Sequence, residues 1–599
     1  MSQVNDFAFK IATANGTGSA SANGLIMQAI FRMGVPVTGK NVFPSNIQGL
    51  PTWYEIRVNK DGYTARTPRF DLMVALNPAT YAKDVAEVRS GGWLMYDSSW
   101  PLDDSLKRQD VTYLGVPLAE MCNAAFKGVR ERILMKNIAY AGALAALLGM
   151  DTEVIKALTK EKYSKKQSLL DSNEKAIALG FDYATKTFSC PLPIHLEKMD
   201  ATKDSILIDG NTAAGLGALY AGATVGAWYP ITPATSLMEA FKGFCLKYRR
   251  DPETKKNRFA ILQAEDELAA IGMVIGASWA GARAFTPTAG PGISLMSEFI
   301  GLAYYAEVPA VVFDVQRTGP STGMPTRTQQ GDLMLCAYAS HGDTRHICLY
   351  PSDPREAFEM AVNAFDLAER FQTPVFVLSD LDIGMNDWMV PKLAWDDSYR
   401  PDRGKVLSAA ELEEAKTFYR YLDVDGDGIP QRSLPGVHPR GSFFTRGSGH
   451  NKYGAYTEDA DEYQDVLDRI ARKVQNAAKA VPAPFVRKSA TPAKMGLISI
   501  GGCHAACMEA IDQMAKDGIA LDYMRVKGFP FGEDVRAFVE QHEVTFVVEQ
   551  NRDAQLRSLL MLETGFGMEK FESVRYYAGF PMSAHHVVSG VKARLEKAA

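Results

Sequence analysis

The sequence predicts an α/β protein of three domains, one of them built on a doubly wound parallel sheet. The first observation is length, because 599 residues are several times a typical domain. The second is rhythm, since short apolar runs end at polar or glycine residues and pass into helical patterns, as strands alternating with helices do. The third is the scatter of seven cysteines, which gives no disulfide framework and leaves the fold to a packed core.

Composition excludes several classes of protein. A net charge of −5 gives no basic surface for nucleic acid, and the longest apolar runs, 268–281 and 139–150, are too short to span a bilayer. The first residues lack the basic and apolar segments of a signal peptide, and no cysteine pair has the spacing of a zinc or iron–sulfur site. We expect a cytoplasmic protein that binds neither nucleic acid nor membrane and has no metal ligands of its own.

The first domain is expected at residues 1–195 and opens with a βαβ pattern. Its predicted elements are a strand over residues 7–12, a helix over 25–33 and a second strand over 35–43. Between the first strand and the helix lies a turn in which Gly16 and Gly18 could hold a phosphate on backbone N–H groups. Ser21 stands where the third glycine of G-x-G-x-x-G belongs, so a tight turn without a ligand is the alternative.

The second domain, expected at residues 200–480, repeats a strand followed by a helix. The predicted strands cover residues 223–229, 258–263, 282–288, 309–315 and 374–379. Parallel strands end at one edge of a sheet, and the ligands of doubly wound folds bind beyond that edge. Thr232, Glu265, Thr288 and Arg317 end or follow four of these strands, and they therefore predict a site there.

Thr232 and Pro233 are expected to begin the helix that follows the first of these strands. Threonine favours the position that caps a helix, and proline favours the first helical position. A helix start of this kind offers free N–H groups to a carboxylate or a phosphate. The alternative is that Thr232 is a helix cap and nothing more.

An irregular, charged excursion is expected from about residue 395. Residues 423–428 match the first half of a calcium loop, but Leu434 occupies the twelfth position, where a glutamate is required, which favours a plain acidic turn. Asp427 and Asn451 also mimic the metal–diphosphate signature of thiamine enzymes. Three intervening prolines are incompatible with the strand and helix that this signature needs, and we reject it.

The third domain is expected at residues 490–599 as a compact α/β unit. Its predicted strands cover residues 495–501, 520–526 and 543–549, with helices between and after them. Cys503 and His504 are adjacent and therefore point apart. A buried structural cysteine is expected there rather than a nucleophile with its base.

Three motifs resemble the α subunit of 2-oxoacid:ferredoxin oxidoreductases. They are Tyr229-Pro-Ile-Thr-Pro233, Gln263-Ala-Glu-Asp-Glu-Leu-Ala-Ala270 and Gln316-Arg-Thr-Gly-Pro-Ser-Thr-Gly-Met-Pro-Thr-Arg327. The nearest type is the 2-oxoglutarate:ferredoxin oxidoreductase with a γ domain fused at the N-terminus. On this resemblance residues 1–195 are the γ-type domain, 200–480 the pyrimidine-binding domain of a thiamine diphosphate enzyme, and 490–599 a transketolase C-terminal-like domain.

The resemblance implies oxidative decarboxylation of 2-oxoglutarate, with CoA accepting the acyl group and ferredoxin the electrons. The products are succinyl-CoA, CO2 and reduced ferredoxin, and a low-potential donor could drive the reverse reaction. It also implies thiamine diphosphate shared with a β subunit, which itself holds Mg2+ and a [4Fe-4S] cluster, in an (αβ)2 heterotetramer. Two alternatives stay open: pyruvate or several 2-oxoacids as substrate, or a non-catalytic nucleotide-binding or scaffold subunit.

The family motifs also imply roles for particular residues. Glu265 matches the glutamate that hydrogen-bonds the aminopyrimidine of the cofactor and assists proton transfer through it. Thr232 and Arg317 match the groups that hold the 1-carboxylate and the keto oxygen of the substrate. Asp266 and Glu267, next to Glu265, are expected to be only a charged first helical turn.

The remaining candidates are weaker. Thr322, Thr326 and Arg327 are expected to contact substrate, with Arg327 suited to a distal carboxylate. A solvated Arg327, or one paired with Asp332, is the alternative. The family places CoA on the γ-type domain, and the glycine-rich turn from Gly16 to Gly24, with Gly16 and Gly18 as possible phosphate contacts, is the pointer to its position.

Overall fold

The structure is a computed structural model that describes residues 3–44 and 49–598. The chain divides into two compact units. The first runs to Ile208 and includes Asn386–Lys392, and the second holds Asp209–Met385 and the residues from Leu393 onward. Most of the predicted second domain and all of the predicted third domain therefore belong to the second unit.

The first unit is a sheet covered by helices. Its strands are β1 (Gln3–Val4), β2 (Asp6–Ala14), β3 (Val37–Val42), β4 (Pro51–Asn59), β5 (Phe70–Ala75), β6 (Val88–Asp97), β7 (Thr112–Val116), β8 (Ile194–His195) and β9 (Ser205–Ile208). Its helices are α1 (Ser19–Arg32), α2 (Tyr81–Glu87), α3 (Leu118–Ala125), α4 (Val129–Leu148), α5 (Thr152–Tyr163) and α6 (Gln167–Thr187). The central strand β5 is buried along its whole length, as a strand covered on both faces must be.

The main sheet of this unit has the order β3–β4–β2–β5–β6–β7. β2 pairs in parallel with β5 but antiparallel with β4, which pairs antiparallel with β3. The predicted βαβ opening is therefore present as two strands of one direction, with β4 inserted between them. The helix α1 begins at Ser19, well before the predicted residue 25, because the left-handed Gly18 (φ 88°) ends the turn and the small residues after it are helical.

The helices α4 and α6 cross with their backbones in contact. A Cβ atom at Gly142 would lie 2.1 Å from the carbonyl oxygen of Ile177, and one at Gly180 would lie 1.9 Å from that of Ala139. Only glycine permits so close an approach. The crossing fixes the helical layer that covers one face of the sheet.

The second unit contains two sheets. Its strands are β10 (Val225–Trp228), β11 (Ala260–Gln263), β12 (Ala284–Thr288), β13 (Ala310–Gln316), β14 (Ile347–Leu349), β15 (Pro374–Asp380), β17 (Phe485–Arg487), β18 (Met495–Ile500), β19 (Leu521–Val526), β20 (Gly528–Phe529), β21 (Val544–Glu549) and β22 (Phe571–Arg575). The strand β16 (Trp388–Pro391) belongs to the first unit, where it pairs antiparallel with β9.

Helices cover both sheets of the second unit. They are α7 (Gly210–Tyr220), α8 (Thr235–Tyr248), α9 (Glu267–Trp279), α10 (Gly290–Tyr305), α11 (Leu333–Ala337), α12 (Pro354–Phe371), α13 (Leu381–Met385), α14 (Ala409–Glu414), α15 (Ala460–Ala477), α16 (His504–Lys516), α17 (Glu533–Glu540), α18 (Gln555–Thr564) and α19 (Ala584–Ala598).

The larger sheet has the order β11–β10–β12–β13–β15–β14–β20, and all its pairs are parallel except the one with β20. The smaller has the order β17–β19–β18–β21–β22, parallel except for β17. Phe376, Ile498 and Val547 belong to one apolar cluster, so a shared core joins the two sheets. The predicted α/β class with a doubly wound sheet is confirmed.

A buried ion network ties α15 to the end of α10. The carboxylate of Glu307 accepts hydrogen bonds from Arg469, at 2.5 and 3.1 Å, and from Lys473 at 2.7 Å, and all three side chains are buried. Burial alone would raise the pKa of Glu307, but the two cations hold it well below its usual range. Burial also lowers the pKa of Lys473 to about 8. The network anchors the excursion on the sheet domain.

The acidic turn of the excursion is closed by a lysine. The ammonium of Lys405 lies 2.6 Å from Asp425, 2.7 Å from Asp427 and 2.9 Å from the carbonyl oxygen of Ile429. An internal cation thus bridges the two carboxylates and offsets one of their two charges, as is expected in a plain acidic turn. Asn451 donates to Glu462. Asp427 and Asn451 thus bond other side chains, and this agrees with the rejection of the metal–diphosphate signature.

Candidate functional site

The order of the larger sheet places a crevice at its carboxyl edge. β11 lies on one side of β10, whereas β12 and β13 lie on the other. Chain segments leaving β10 and β12 therefore diverge, and ligands of such sheets bind at this point. The segment after β10 carries Thr232, and the strand β12 leads directly into the N-terminus of α10.

The prediction that Thr232 caps a helix is wrong. The helix α8 begins at Thr235, with Ala234 at the cap position. The carbonyl oxygen of Ile231 accepts from the N–H groups of Ala234 (2.8 Å) and Thr235 (3.1 Å), so the chain makes one extra turn before the helix. The Thr232–Pro233 peptide in this turn is cis. The extra turn leaves the Thr232 carbonyl group facing the strand β13 side of the crevice, where Arg317 reaches it.

Arg317 follows β13 and meets Thr232 directly. Its Nη1 donates to the carbonyl oxygen of Thr232 at 2.8 Å. Its Nε is buried and has no hydrogen-bond partner among the residues that the structure describes. Burial lowers the pKa of Arg317, while the carboxylates of Asp332 and Glu267 act in the opposite direction. An arginine remains charged under these conditions, so a cation with an unused N–H group lies at the crevice.

Arg317 lines a cleft of about 830 Å³. The N-terminus of α10, the residues that follow Arg317 and the C-terminal segment form its walls. Its lining includes Gly290, Ser294, Asp332, Asn551, Arg552 and Tyr577. The sequence reasoning did not assign any of these to the site. The available signal was the strand expected at residues 543–549, since Asn551 follows its end and donates to the carbonyl oxygen of Gln330 near the cleft.

The segment after Arg317 folds into a closed loop. Thr318 donates its N–H to the carbonyl oxygen of Arg327, and Met324 donates to that of Thr318. Thr322 is exposed at the outer end, whereas Thr326 is buried at the base. Arg327 donates to the carbonyl and hydroxyl oxygens of Thr326 and lies over the ring of Phe580 at 5.6 Å. The five predicted substrate residues thus form a Thr232–Arg317 pair, a Thr326–Arg327 pair and the exposed Thr322.

The three acidic residues after β11 have different surroundings. Glu265 is exposed beyond the end of the strand. Asp266 accepts from the N–H of Ala269 at 2.7 Å and caps α9. Glu267 is buried, and its Cγ and the hydroxyl of Thr288 both lie against Gly292. The carboxylate of Glu265 is exposed and does not cap the helix, so it is open to a ligand or partner that approaches the edge. Its assigned role stays a prediction.

The first unit has a cleft of its own beside the glycine-rich turn. Gly16 (φ 83°) and Gly18 (φ 88°) are left-handed, a conformation that favours glycine, and Asn137 donates to the carbonyl oxygen of Thr17. The cleft has a volume of about 510 Å³, and its lining includes Thr13, Thr17, Trp100, Arg132, Lys136 and Asn137. Two cations, an exposed tryptophan and a helix N-terminus together suit an anion that carries an aromatic ring.

Cys503 and His504 do not form a nucleophile and base. The Sγ of Cys503 is buried, 3.6 Å from Oε1 of Gln330, and burial raises the pKa of its thiol well above the usual range. His504 bonds the hydroxyl of Tyr523 at 2.9 Å, and burial lowers its pKa to about 3. Both facts agree with the structural cysteine expected from the sequence.

Comparison with known proteins gives two family matches. Residues 216–407 match the family described as "Pyruvate flavodoxin/ferredoxin oxidoreductase, thiamine diP-bdg". Residues 8–183 match the family described as "Pyruvate ferredoxin/flavodoxin oxidoreductase". Within the described residues, none of the helices is both long and apolar enough to cross a bilayer.

Individual relatives match either nearly the whole chain or about half of it. The α subunit of 2-oxoacid:ferredoxin oxidoreductase 2 from Aeropyrum pernix is 30% identical, over 99% of this chain and 98% of its own. The 2-oxoglutarate synthase subunit KorA of Methanocaldococcus jannaschii is 33% identical over 55% of this chain and 84% of its own. The solved 2-oxoglutarate:ferredoxin oxidoreductase from Magnetococcus marinus, with 2-oxoglutarate, coenzyme A and succinyl-CoA bound, has a TM-score of 0.88 at 28% identity, covering 99% of this chain and 100% of that one.

Proposed function

This chain belongs to the 2-oxoacid:ferredoxin oxidoreductase family, and we propose that within it the chain is the α subunit of a 2-oxoglutarate:ferredoxin oxidoreductase. The reaction converts 2-oxoglutarate, CoA and oxidised ferredoxin into succinyl-CoA, CO2 and reduced ferredoxin, and a sufficiently strong reductant drives it backwards. Relatives and a solved neighbour that act on or bind 2-oxoglutarate support this substrate over pyruvate.

The main support for the proposal is that the guanidinium of Arg317 has a buried N–H group, at Nε, without an acceptor among the described residues. Its Nη1 is held by the Thr232 carbonyl at 2.8 Å, while its buried Nε lacks a partner in the described part of the chain. A buried N–H group without an acceptor is costly, and a carboxylate that accepts from Nε and the second terminal nitrogen removes that cost. We assign the 1-carboxylate of the 2-oxoacid to this position, with the Thr232 segment beside the keto oxygen.

The far end of the substrate is assigned to the loop after Arg317. Arg327 is fixed by Thr326 and Phe580 and is half-buried, so it offers a cation at low entropic cost. 2-Oxoglutarate has a second carboxylate that needs such a partner, and pyruvate has none. Thr322 and Thr326 complete this end as hydrogen-bond donors.

Glu265 is assigned to the pyrimidine of thiamine diphosphate. Its exposed carboxyl group, at the carboxyl edge, can hold a proton toward a ring nitrogen that approaches from outside the chain. The cofactor, when bound, supplies the electron sink for decarboxylation. The residues of this chain fit only the pyrimidine end of the cofactor. Asp427 and Asn451 do not fit the diphosphate end, because Asp427 pairs with Lys405 and Asn451 donates to Glu462. The diphosphate with its Mg2+, and the [4Fe-4S] cluster, are therefore assigned to a β subunit.

CoA is assigned to the cleft of the first unit. Gly16 and Gly18 leave backbone N–H groups at the start of α1 for a phosphate. Arg132 and Lys136 add positive charge, and Trp100, 53% exposed, offers a ring face for an adenine. A complex of α and β chains as an (αβ)2 heterotetramer, working with ferredoxin in the cytoplasm, completes the proposal.

The test uses the α chain copurified with its β subunit. We expect a brown complex that contains thiamine diphosphate and reduces methyl viologen only when 2-oxoglutarate and CoA are both present. Turnover with pyruvate and none with 2-oxoglutarate would overturn the substrate. A colourless preparation without the cofactor, inactive with every 2-oxoacid, would instead indicate a non-catalytic subunit.

A further inference from the structure

Two carboxyl groups lie together behind Arg317. Asp314, on β13, is fully buried, and Asp332 stands at the start of α11. The two side chains are within hydrogen-bonding reach of each other. Each nevertheless keeps one buried carboxyl oxygen that has no donor within the described part of the chain. Neither group is used by the chemistry assigned above.

One proton between the two groups accounts for this arrangement. Two ionised carboxylates in contact repel each other, whereas a carboxylic acid can donate to a carboxylate. Burial raises the pKa of Asp314 well above its usual range and that of Asp332 to about 6. At neutral pH the proton therefore belongs to Asp314, and Asp332 carries the single negative charge of the pair.

Among the described residues, Arg317 is the cation that acts on this charge. The titratable groups around the pair are Arg317, Glu267, Cys336, Cys348 and Tyr350. Burial raises the pKa values of the two thiols and of the phenol, which keeps them neutral. The Sγ of Cys336 lies 3.7 Å from Oδ2 of Asp314.

The helix α10 approaches Asp332 with its backbone alone. A Cβ atom at Gly290 would lie 2.6 Å from Oδ1 of Asp332, so the carboxylate rests against the N-terminal turn of a 16-residue helix. The positive end of the helix favours a charge there. The Asp332 carboxylate lines the same cleft as Arg317.

We propose that Asp332 is a positioning residue whose charge, set by the proton it shares with Asp314, neutralises Arg317 in the free cleft and is itself neutralised when a substrate carboxylate arrives. Binding then takes up one proton, and the cleft binds a carboxylate more tightly as the pH falls. The proposal rests on the proposed function, since it takes the Arg317 cleft to be the site of the 2-oxoacid carboxylate.

The binding test uses the α–β complex and glutarate, a dicarboxylate that lacks the reactive keto group. Titration calorimetry in buffers of different ionisation enthalpy counts the protons taken up. We expect glutarate to bind about tenfold more tightly at pH 5.5 than at pH 8, the effect of a shift of about one unit in the pKa of one carboxyl group. Asp332→Asn should bind tightly at both pH values without proton uptake. Asp314→Asn keeps a neutral hydrogen-bond donor beside Asp332 and should therefore keep the pH dependence of wild type.

Equal pH dependence in all three proteins, or weaker binding by Asp332→Asn than by wild type at pH 8, would overturn the proposal. Infrared spectroscopy of the same complex tests the pair without any ligand. The wild-type spectrum minus that of Asp314→Asn should show a protonated carboxyl band at pH 7.5, and its absence also overturns the pair. If wild type shows the band but binds no glutarate at any pH, the shared proton stands and the proposed carboxylate site at Arg317 fails.

Discussion

The substitution Arg317→Lys tests the carboxylate clamp while keeping the charge. In wild type, Nη1 is held by the Thr232 carbonyl at 2.8 Å, and the buried Nε is left for an acceptor. A lysine ammonium cannot hold the Thr232 carbonyl and also make two parallel bonds to a carboxylate. The loss is one charge-assisted hydrogen bond, about 1.5–3 kcal/mol, and one neutral anchor of about 1 kcal/mol. A total of about 2.5–4 kcal/mol corresponds to a fall in kcat/KM of about 70- to 1000-fold.

The assay is methyl viologen reduction by the α–β complex over a range of 2-oxoacid concentrations. Arg552→Lys is the matched control, because Arg552 lines the same cleft but is exposed and pairs with Asp553; it should change kcat/KM by less than about threefold. The ratio of activity on 2-oxoglutarate to that on pyruvate should not change in Arg317→Lys, since both share the 1-carboxylate. A fall of less than threefold, or one confined to 2-oxoglutarate, would show that Arg317 does not hold the 1-carboxylate.

Three further substitutions probe the fold. Glu307→Ala leaves two buried cations without their carboxylate partner and should lower the free energy of unfolding by about 3–5 kcal/mol in urea titrations. Glu359→Ala, at a half-exposed glutamate, should change it by less than about 1 kcal/mol. Burial alone would raise the pKa of Glu356, but Arg525 and Lys527 lower it to about 2. The ionised carboxylate therefore stabilises the fold fully above about pH 4.5, and this stabilisation is lost as the pH falls toward 2. The urea midpoint should drop over that window more in wild type than in Glu356→Gln. Gly180→Ala places a Cβ 1.9 Å from a carbonyl oxygen and should lower the thermal midpoint of the first unit.

Much of the fold could be predicted from local pattern. The strand expected at residues 309–315 lies at Ala310–Gln316, and the one expected at 374–379 lies at Pro374–Asp380, because apolar runs between turn signals leave few other structures. The placement of Arg317 at a sheet edge followed from the same pattern. The prediction that Thr232 caps a helix was wrong, because the Ile231 carbonyl closes an extra turn before the helix, and residue propensities for helix caps do not reveal such a turn.

The rest of the site depends on contacts between distant parts of the chain. Asn551 and Tyr577 reach the cleft of Arg317 through packing of the smaller sheet on the larger one. Asp332 reaches it through the closed loop after Arg317, where its N–H donates to the Gln316 side chain. Lys136 reaches the glycine-rich turn from α4, more than a hundred residues along the chain. Neither set has a local motif, so sequence pattern alone could not bring these side chains together.

The central claim is that this chain supplies one half of a thiamine site, with Glu265 as its contact to the cofactor. The most direct measurement is turnover of the Glu265→Ala complex, beside Glu253→Ala as a control at an equally exposed glutamate. We expect the Glu265→Ala complex to assemble and its kcat to fall by about 100-fold or more, the usual loss on removal of a proton-transfer group. The kcat of the Glu253→Ala complex should not change. Near-wild-type turnover by Glu265→Ala would contradict the central claim.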